Sequence, residues 1–198
     1  MARLRLGVLI SGRGSNLAAL VDAARAPDYP AEVALVIANE AGAAGLARAA
    51  AAGIATRLVS HRQPGFEAML DTALREAGIE LVCLAGFMRV LSAAFVGQWR
   101  GRLINIHPSL LPAFPGLDTH RRALAAGVKA TGCTVHFVSD TVDAGPIIAQ
   151  SEVPVLAGDD PARLAARVLA AEHRLYPQVV RMIAEGRVRV DGDRVEIR

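Results

Sequence analysis

Short apolar runs at 4–10, 33–38, 81–85 and 103–106 constrain this chain most. Each is too short for a buried helix and too continuous for a strand with one wet face. Strands buried on both faces belong to parallel sheets covered by helices. The intervening segments carry helix signals. One helix starts near Asn16 and is ended by Pro27 and Pro30, and a glycine-spaced one follows at about 45–52. After a short strand at 56–59, a third runs from Phe66 to a stop at Gly78, and Ser92 can cap a short fourth to Trp99. The alternation predicts an α/β fold, a mostly parallel twisted sheet with helices on both faces.

After Gly127 the rhythm changes. Strands at 131–138 and 147–153, joined by a loop holding Asp140 and Asp143, predict a mixed or antiparallel C-terminal part. Asp160-Pro161 supplies a cap and a first-turn proline for a long helix. Pro177 is expected to kink or divide that helix, because it cannot donate to the His173 carbonyl. Segments 188–190 and 194–197, around Asp191-Gly192-Asp193, predict a closing hairpin.

The 198 residues suit one domain with a real core, and 53% hydrophobic composition excludes disorder. No apolar run reaches the ~18 residues of a membrane helix, and the N-terminus lacks the pattern of a secretory signal. A cytoplasmic enzyme without membrane contact is expected. The formal charge is +3, Lys129 is the only lysine, and no basic run is present, so nucleic-acid binding is not expected. A modest positive balance suits a small anionic substrate. Cys83 and Cys133 sit in apolar runs as small buried hydrophobes. Asp118-Thr119-His120 has a metal-ligand spacing but no third ligand, so no metal is expected.

The chemistry-bearing motif is Asn105-Ile106-His107-Pro108-Ser109-Leu110-Leu111-Pro112, followed by Asp143. Residues two apart on a strand share a face, so Asn105 and His107 can aim at one small volume. An amide donor, an imidazole and a carboxylate are the parts for acyl transfer through a charged tetrahedral intermediate. A carboxylate beside the imidazole favours the imidazolium. Each residue alone is more often structural: a hydrogen-bonded histidine, an asparagine satisfying backbone, an aspartate forming a turn.

Ser11-Gly12-Arg13-Gly14-Ser15-Asn16 lies between the first strand and first helix, where backbone N–H groups favour a phosphate. Ser15 and Asn16 add side-chain donors; the alternative is a tight turn that binds nothing. The dinucleotide fingerprint fails, since Leu17 stands at its last glycine, and no Gly-Lys-Ser/Thr is present. Glu172 falls on the inward stripe of Leu164, Val168, Leu175, Val179 and Met182. An inward carboxylate needs a partner, either substrate or a structural arginine.

Ile10-Ser11-Gly12 through Asn16-Leu17, the stretch 84–91, Asn105 to Pro112, Thr134 to Val138 and Asp143-Ala144-Gly145-Pro146 together resemble the glycinamide ribonucleotide formyltransferases. The resemblance covers nearly the whole chain, in order. The Asn-x-His-Pro-Ser-Leu-Leu-Pro piece is shared across folate-dependent formyltransferases and marks the chemistry. The glycine loop, the Glu172-His173 helix and the short length point to the glycinamide ribonucleotide member. The resemblance implies a single Rossmann-like domain over 1–198, about 1–100 forming the nucleotide-binding half and about 101–198 the catalytic and folate-binding half. It implies formyl transfer from 10-formyltetrahydrofolate to glycinamide ribonucleotide in purine biosynthesis, with Asn105, His107 and Asp143 catalytic. It assigns Gly14, Ser15, Asn16 and Glu172 to the ribonucleotide. The folate falls to Met88, Arg89, Val90 and Leu91, to Asn105, and to Ser139, Asp140, Thr141, Val142 and Asp143. It admits a homodimer.

Two positions depart from the family pattern. Gln63 stands where an arginine suited to the folate's anionic tail is common, with Arg62 beside it, and Asp118 stands where a histidine is common. The competing readings are a formyltetrahydrofolate hydrolase, a formyltransferase with another amine acceptor, and a non-catalytic Rossmann-type nucleotide-binding module. Relatives in the first two classes usually carry further domains, for which the start of the first strand near Leu4 leaves no N-terminal room.

Overall fold

The computed structural model describes residues 2–191 and 194–198. The chain alternates as β1 (Leu4–Ile10), α1 (Ser15–Ala24), β2 (Ala31–Ala38), α2 (Ala44–Ala51), β3 (Ala55–Leu58), α3 (Phe66–Glu76), β4 (Leu81–Leu84), α4 (Ala93–Gln98) and β5 (Leu103–His107). It continues with α5 (Thr119–Ala125), β6 (Ala130–Phe137), β7 (Ile147–Pro154), α6 (Pro161–Ala184), β8 (Val188–Asp191) and β9 (Arg194–Ile197). Seven strands form one sheet in the order β3-β2-β1-β4-β5-β6-β7. The first five are parallel; β6 and β7 run antiparallel to their neighbours, which is the predicted change of rhythm.

The apolar runs are buried on both sides. Leu6, Val8 and Ile10 of β1 enter one core with α1 and α6, while Leu9 enters a second with α3 and α4. Strand order reverses between β2 and β4, on either side of β1. Open α/β sheets bind ligands at such a reversal, beyond the carboxyl ends of the strands. Those ends carry the glycine loop after β1, the 85–91 loop after β4 and the Asn105–His107 end of β5.

Pro177 does not divide α6, which runs unbroken from Pro161 to Ala184. A proline removes one helical hydrogen bond, and here tertiary packing holds the turn. Tyr176, Val179 and Val180 are fully buried around it, and Tyr29 Oη donates to the Pro177 carbonyl at 2.8 Å. Helix α5 lies beyond the sequence reading, since its Thr-His-Arg-Arg-Ala-Leu-Ala has too few apolar positions to show a period. Strands β8 and β9 pair as the expected hairpin. Its Gly192-Asp193 turn lies outside the described residues. No described helix is long and apolar enough to cross a membrane.

Candidate active site

Strand β5 ends with Asn105 and His107 on one face, and antiparallel pairing sets His136 of β6 directly opposite Asn105. Directly opposed residues share a sheet face. The loop after β5 is stapled to β6 and β7. The Thr134 hydroxyl donates to the Ser109 carbonyl at 2.7 Å and accepts from the Leu111 N–H at 3.1 Å, while Gln150 Nε2 donates to the Leu111 carbonyl at 2.8 Å. This turns the Phe114 carbonyl onto His107, whose Nε2 lies 3.0 Å from it.

Asp143 completes the cluster. Its Oδ2 accepts the Gly116 N–H at 2.7 Å and lies 3.4 Å from His107 Nδ1; its Oδ1 lies 3.8 Å from His136 Nε2. The loop comes this close because residue 145 is glycine. A Cβ there would sit 1.8 Å from the Phe137 carbonyl oxygen. Asp143 itself has φ +54°, a left-handed conformation that Asn and Asp tolerate better than most residues.

The hydrogen-bond directions follow. His107 Nε2–H donates to Phe114, which leaves Nδ1 as the ring atom facing Asp143 and the site. His136 Nδ1–H donates to its neighbour's carbonyl, Phe137, at 2.8 Å, so its Nε2 accepts from Asn105 Nδ2 at 3.3 Å. Burial, ahead of the nearby charges, holds the His136 pKa below the usual imidazole value. A neutral His136 therefore orients the Asn105 amide with its second N–H free.

On the predicted ribonucleotide side, Gly14 has φ +70° at the start of α1, and a Cβ on it would meet Gly45 Cα at 2.9 Å. The glycine-spaced α2 thus packs under the loop, with Gly45 N–H donating to the Gly12 carbonyl at 3.1 Å. Ser15 stays half-exposed, whereas Asn16 turns inward. Its Nδ2 donates to Glu172 Oε2 at 2.6 Å. The predicted inward carboxylate thus finds an asparagine of the loop, not an arginine. Glu172 is 6% exposed, and burial raises its pKa, with Asn16 pulling the other way. Asn16 Oδ1 is buried without a partner.

On the predicted folate side, Met88 and Val90 are 62% and 77% exposed, Arg89 is exposed, and Leu91 turns into the second core. Residues Ser139, Asp140 and Thr141, with Val96, Phe137 and Val138, line a cavity of about 410 Å³, and residues 88–91 do not line it. Val142 is 53% exposed. Arg62 and Gln63 are both exposed in the turn before α3. Asp118 has φ +55° at the start of α5 and caps it with no side-chain bond.

Residues 4–180 match the model of the formyl transferase family. The chain belongs to that family. It is 47% identical to phosphoribosylglycinamide formyltransferase of Escherichia coli (strain K12), over 94% of this chain and 90% of that protein. It is 50% identical to the trifunctional purine biosynthetic protein adenosine-3 of Gallus gallus over 95% of this chain, and spans only 19% of that protein. Glycinamide ribonucleotide transformylase 1 from Symbiobacterium toebii superposes with a TM-score of 0.95 at 49% identity, covering 98% of this chain and 94% of that one.

For a formyl transferase the cluster has the needed parts: a fixed amide donor, an imidazole with one nitrogen turned to the site, and a carboxylate beside it. His136 is the member that sequence reading did not assign. Within β6 it alternates with Val135 and Phe137, but only strand register places it against Asn105. His120 joins from α5. Its Nδ1 is buried without a partner, and burial, then the nearby His107, lowers its pKa. Among the described residues, no group of three or more His, Cys, Asp or Glu is arranged to hold a metal ion.

Proposed function

We propose that this formyl transferase moves the formyl group of 10-formyltetrahydrofolate onto the amine of glycinamide ribonucleotide, giving formylglycinamide ribonucleotide and tetrahydrofolate in purine biosynthesis. The observation that carries the reading is the convergence of Asn105, His107 and Asp143 at the carboxyl end of β5.

The amine attacks the formyl carbon, and the carbonyl oxygen becomes anionic. The free Asn105 N–H and the His107 Nδ1–H stabilise it; one such donor is worth about 10²–10³ in turnover. The attacking nitrogen becomes cationic and loses its proton to Asp143, directly or through a water. The carbon–nitrogen bond to the folate then breaks, and His107 helps protonate the departing nitrogen. Gly14, Ser15 and Asn16 hold the ribonucleotide phosphate at the start of α1, and Glu172 meets the ribonucleotide from α6. Met88 to Leu91 and Ser139 to Asp143 form the two folate walls.

The reading treats residues 1–198 as one domain, with the ribonucleotide in the first half and folate chemistry in the second. It places the enzyme in the cytoplasm, acting on two small molecules and not on nucleic acid or membrane, and it admits a homodimer. The test is a spectrophotometric assay for loss of formyl from 10-formyltetrahydrofolate, with and without glycinamide ribonucleotide. Loss only with the ribonucleotide, accompanied by its formylated product, is expected. Equal loss without it makes the chain a hydrolase, and no loss in either case refutes formyl transfer between these substrates.

A further inference from the structure

The loop carrying Met88 to Leu91 has no regular structure between β4 and α4. Two buried side chains, Phe87 and Leu91, anchor it to the second core. Apolar anchors are non-directional. They keep the loop down but do not orient its peptide planes.

Two polar anchors supply direction. At one end, Met88 N–H donates to Ser11 Oγ at 2.8 Å, and that hydroxyl donates to Asn39 Oδ1 at 2.6 Å. Asn39 is 2% exposed, so the acceptor is rigidly held, and the Ser11 N–H donates to the Gly86 carbonyl at 3.1 Å. At the other end, Ser92 N–H donates to Glu67 Oε1 at 2.7 Å, and the Ser92 hydroxyl donates to Glu67 Oε2. Glu67 lies in the first turn of α3, and Ser92 caps α4. The loop is thus tied on one side to the glycine loop and on the other to a helix outside the reacting cluster.

We propose that Ser11 and Glu67 are positioning residues for the formyl donor, because they fix the two ends of the wall against which the folate rests. This rests on the reading that residues 88–91 meet the folate. Ser11 does so from the loop that holds the ribonucleotide, yet its hydroxyl points to Met88 and Asn39 and leaves the Gly14–Asn16 donors alone.

The test uses the full-length enzyme with Ser11→Ala, Glu67→Ala and Glu67→Gln. Both KM values are measured, together with amide hydrogen exchange across Met88 to Ser92. The two alanine variants should raise the folate KM about five- to thirtyfold and leave the ribonucleotide KM within about twofold, as expected for loss of one of the two polar anchors. Exchange should quicken at Met88 in Ser11→Ala and at Ser92 in Glu67→Ala. Glu67→Gln, whose amide oxygen still accepts from the Ser92 N–H, should restore the folate KM. Equal rises in both KM values, faster exchange with an unmoved folate KM, or unchanged exchange each overturn the proposal. No formyl transfer by the unaltered chain overturns the parent reading as well, and is seen before any variant is made.

Discussion

Asp143→Asn isolates a charge from a shape. Asparagine is nearly isosteric and tolerates the left-handed backbone at φ +54°. Its amide oxygen can still take the Gly116 N–H that Asp143 Oδ2 accepts at 2.7 Å, so the loop keeps its anchor. The amide nitrogen then falls toward His136 Nε2, an acceptor, in place of Oδ1, now 3.8 Å away. What disappears is the negative charge 3.4 Å from His107 Nδ1 and the base for the amine proton. At that separation and an effective dielectric near 20, the attraction for an imidazolium is about 5 kcal/mol before desolvation is subtracted. Loss of a positioned acid–base group independently costs about 10²–10⁴ in rate, or about 3–5.5 kcal/mol. The two agree, so turnover should fall about 10²–10⁴-fold. Steady-state kcat at saturating substrates, with a thermal melt on the same preparation, reads both quantities. The melt should move by no more than about 3 °C, since about 1 kcal/mol shifts a domain of this size by that amount. Turnover within about threefold of the parent would remove Asp143 as the proton acceptor.

Ser15→Ala and Asn16→Ala should raise the ribonucleotide KM more than the folate KM; equal effects in initial-rate assays would argue against a phosphate loop. Asn16→Ala also strands the buried Glu172 carboxylate and should cost about 1–3 kcal/mol in urea unfolding. Glu172 has its folded pKa raised above the ordinary 4.5 by burial, so the folded state binds the extra proton and stability falls as pH rises from 4.5 through the raised value. Glu172→Gln should abolish that part of the decline, and parallel unfolding curves of parent and variant across the window would refute it. Gly145→Ala would place a Cβ 1.8 Å from the Phe137 carbonyl oxygen, and should lose about 1–3 kcal/mol with much of the activity. Gly97→Ala, in α4 with nothing within 4 Å of the added carbon, should gain about 0.5–1 kcal/mol, and a melt distinguishes the two.

The strands were readable because β1, β4 and β5 are apolar without alternation, and only burial on both faces tolerates that. Helices α1 and α3 were readable from their stops, and α4 and α6 also from their caps: Ser92 accepts from the Phe95 N–H and Asp160 from the Arg163 N–H, as their positions implied. The division allowed for at Pro177 does not occur, because propensity counts the bond a proline removes and not the packing around Tyr176 that retains the turn. Helix α5 was invisible because a seven-residue, arginine-rich segment carries no period.

By itself the sequence determined the order of elements, the shared face of Asn105 and His107, the glycine loop before α1 and the inward stripe bearing Glu172. These follow from spacings of two and of three to four residues along one segment, which local geometry dictates. Only the tertiary structure decided which distant groups meet. His136 reaches Asn105 through the β5–β6 register. Asn16 answers Glu172 from 156 residues away, Gly116 anchors Asp143, and Ser11 reaches Met88 across the reversal in strand order. Those pairings depend on how packed elements lie against one another, and no periodicity within a segment encodes them.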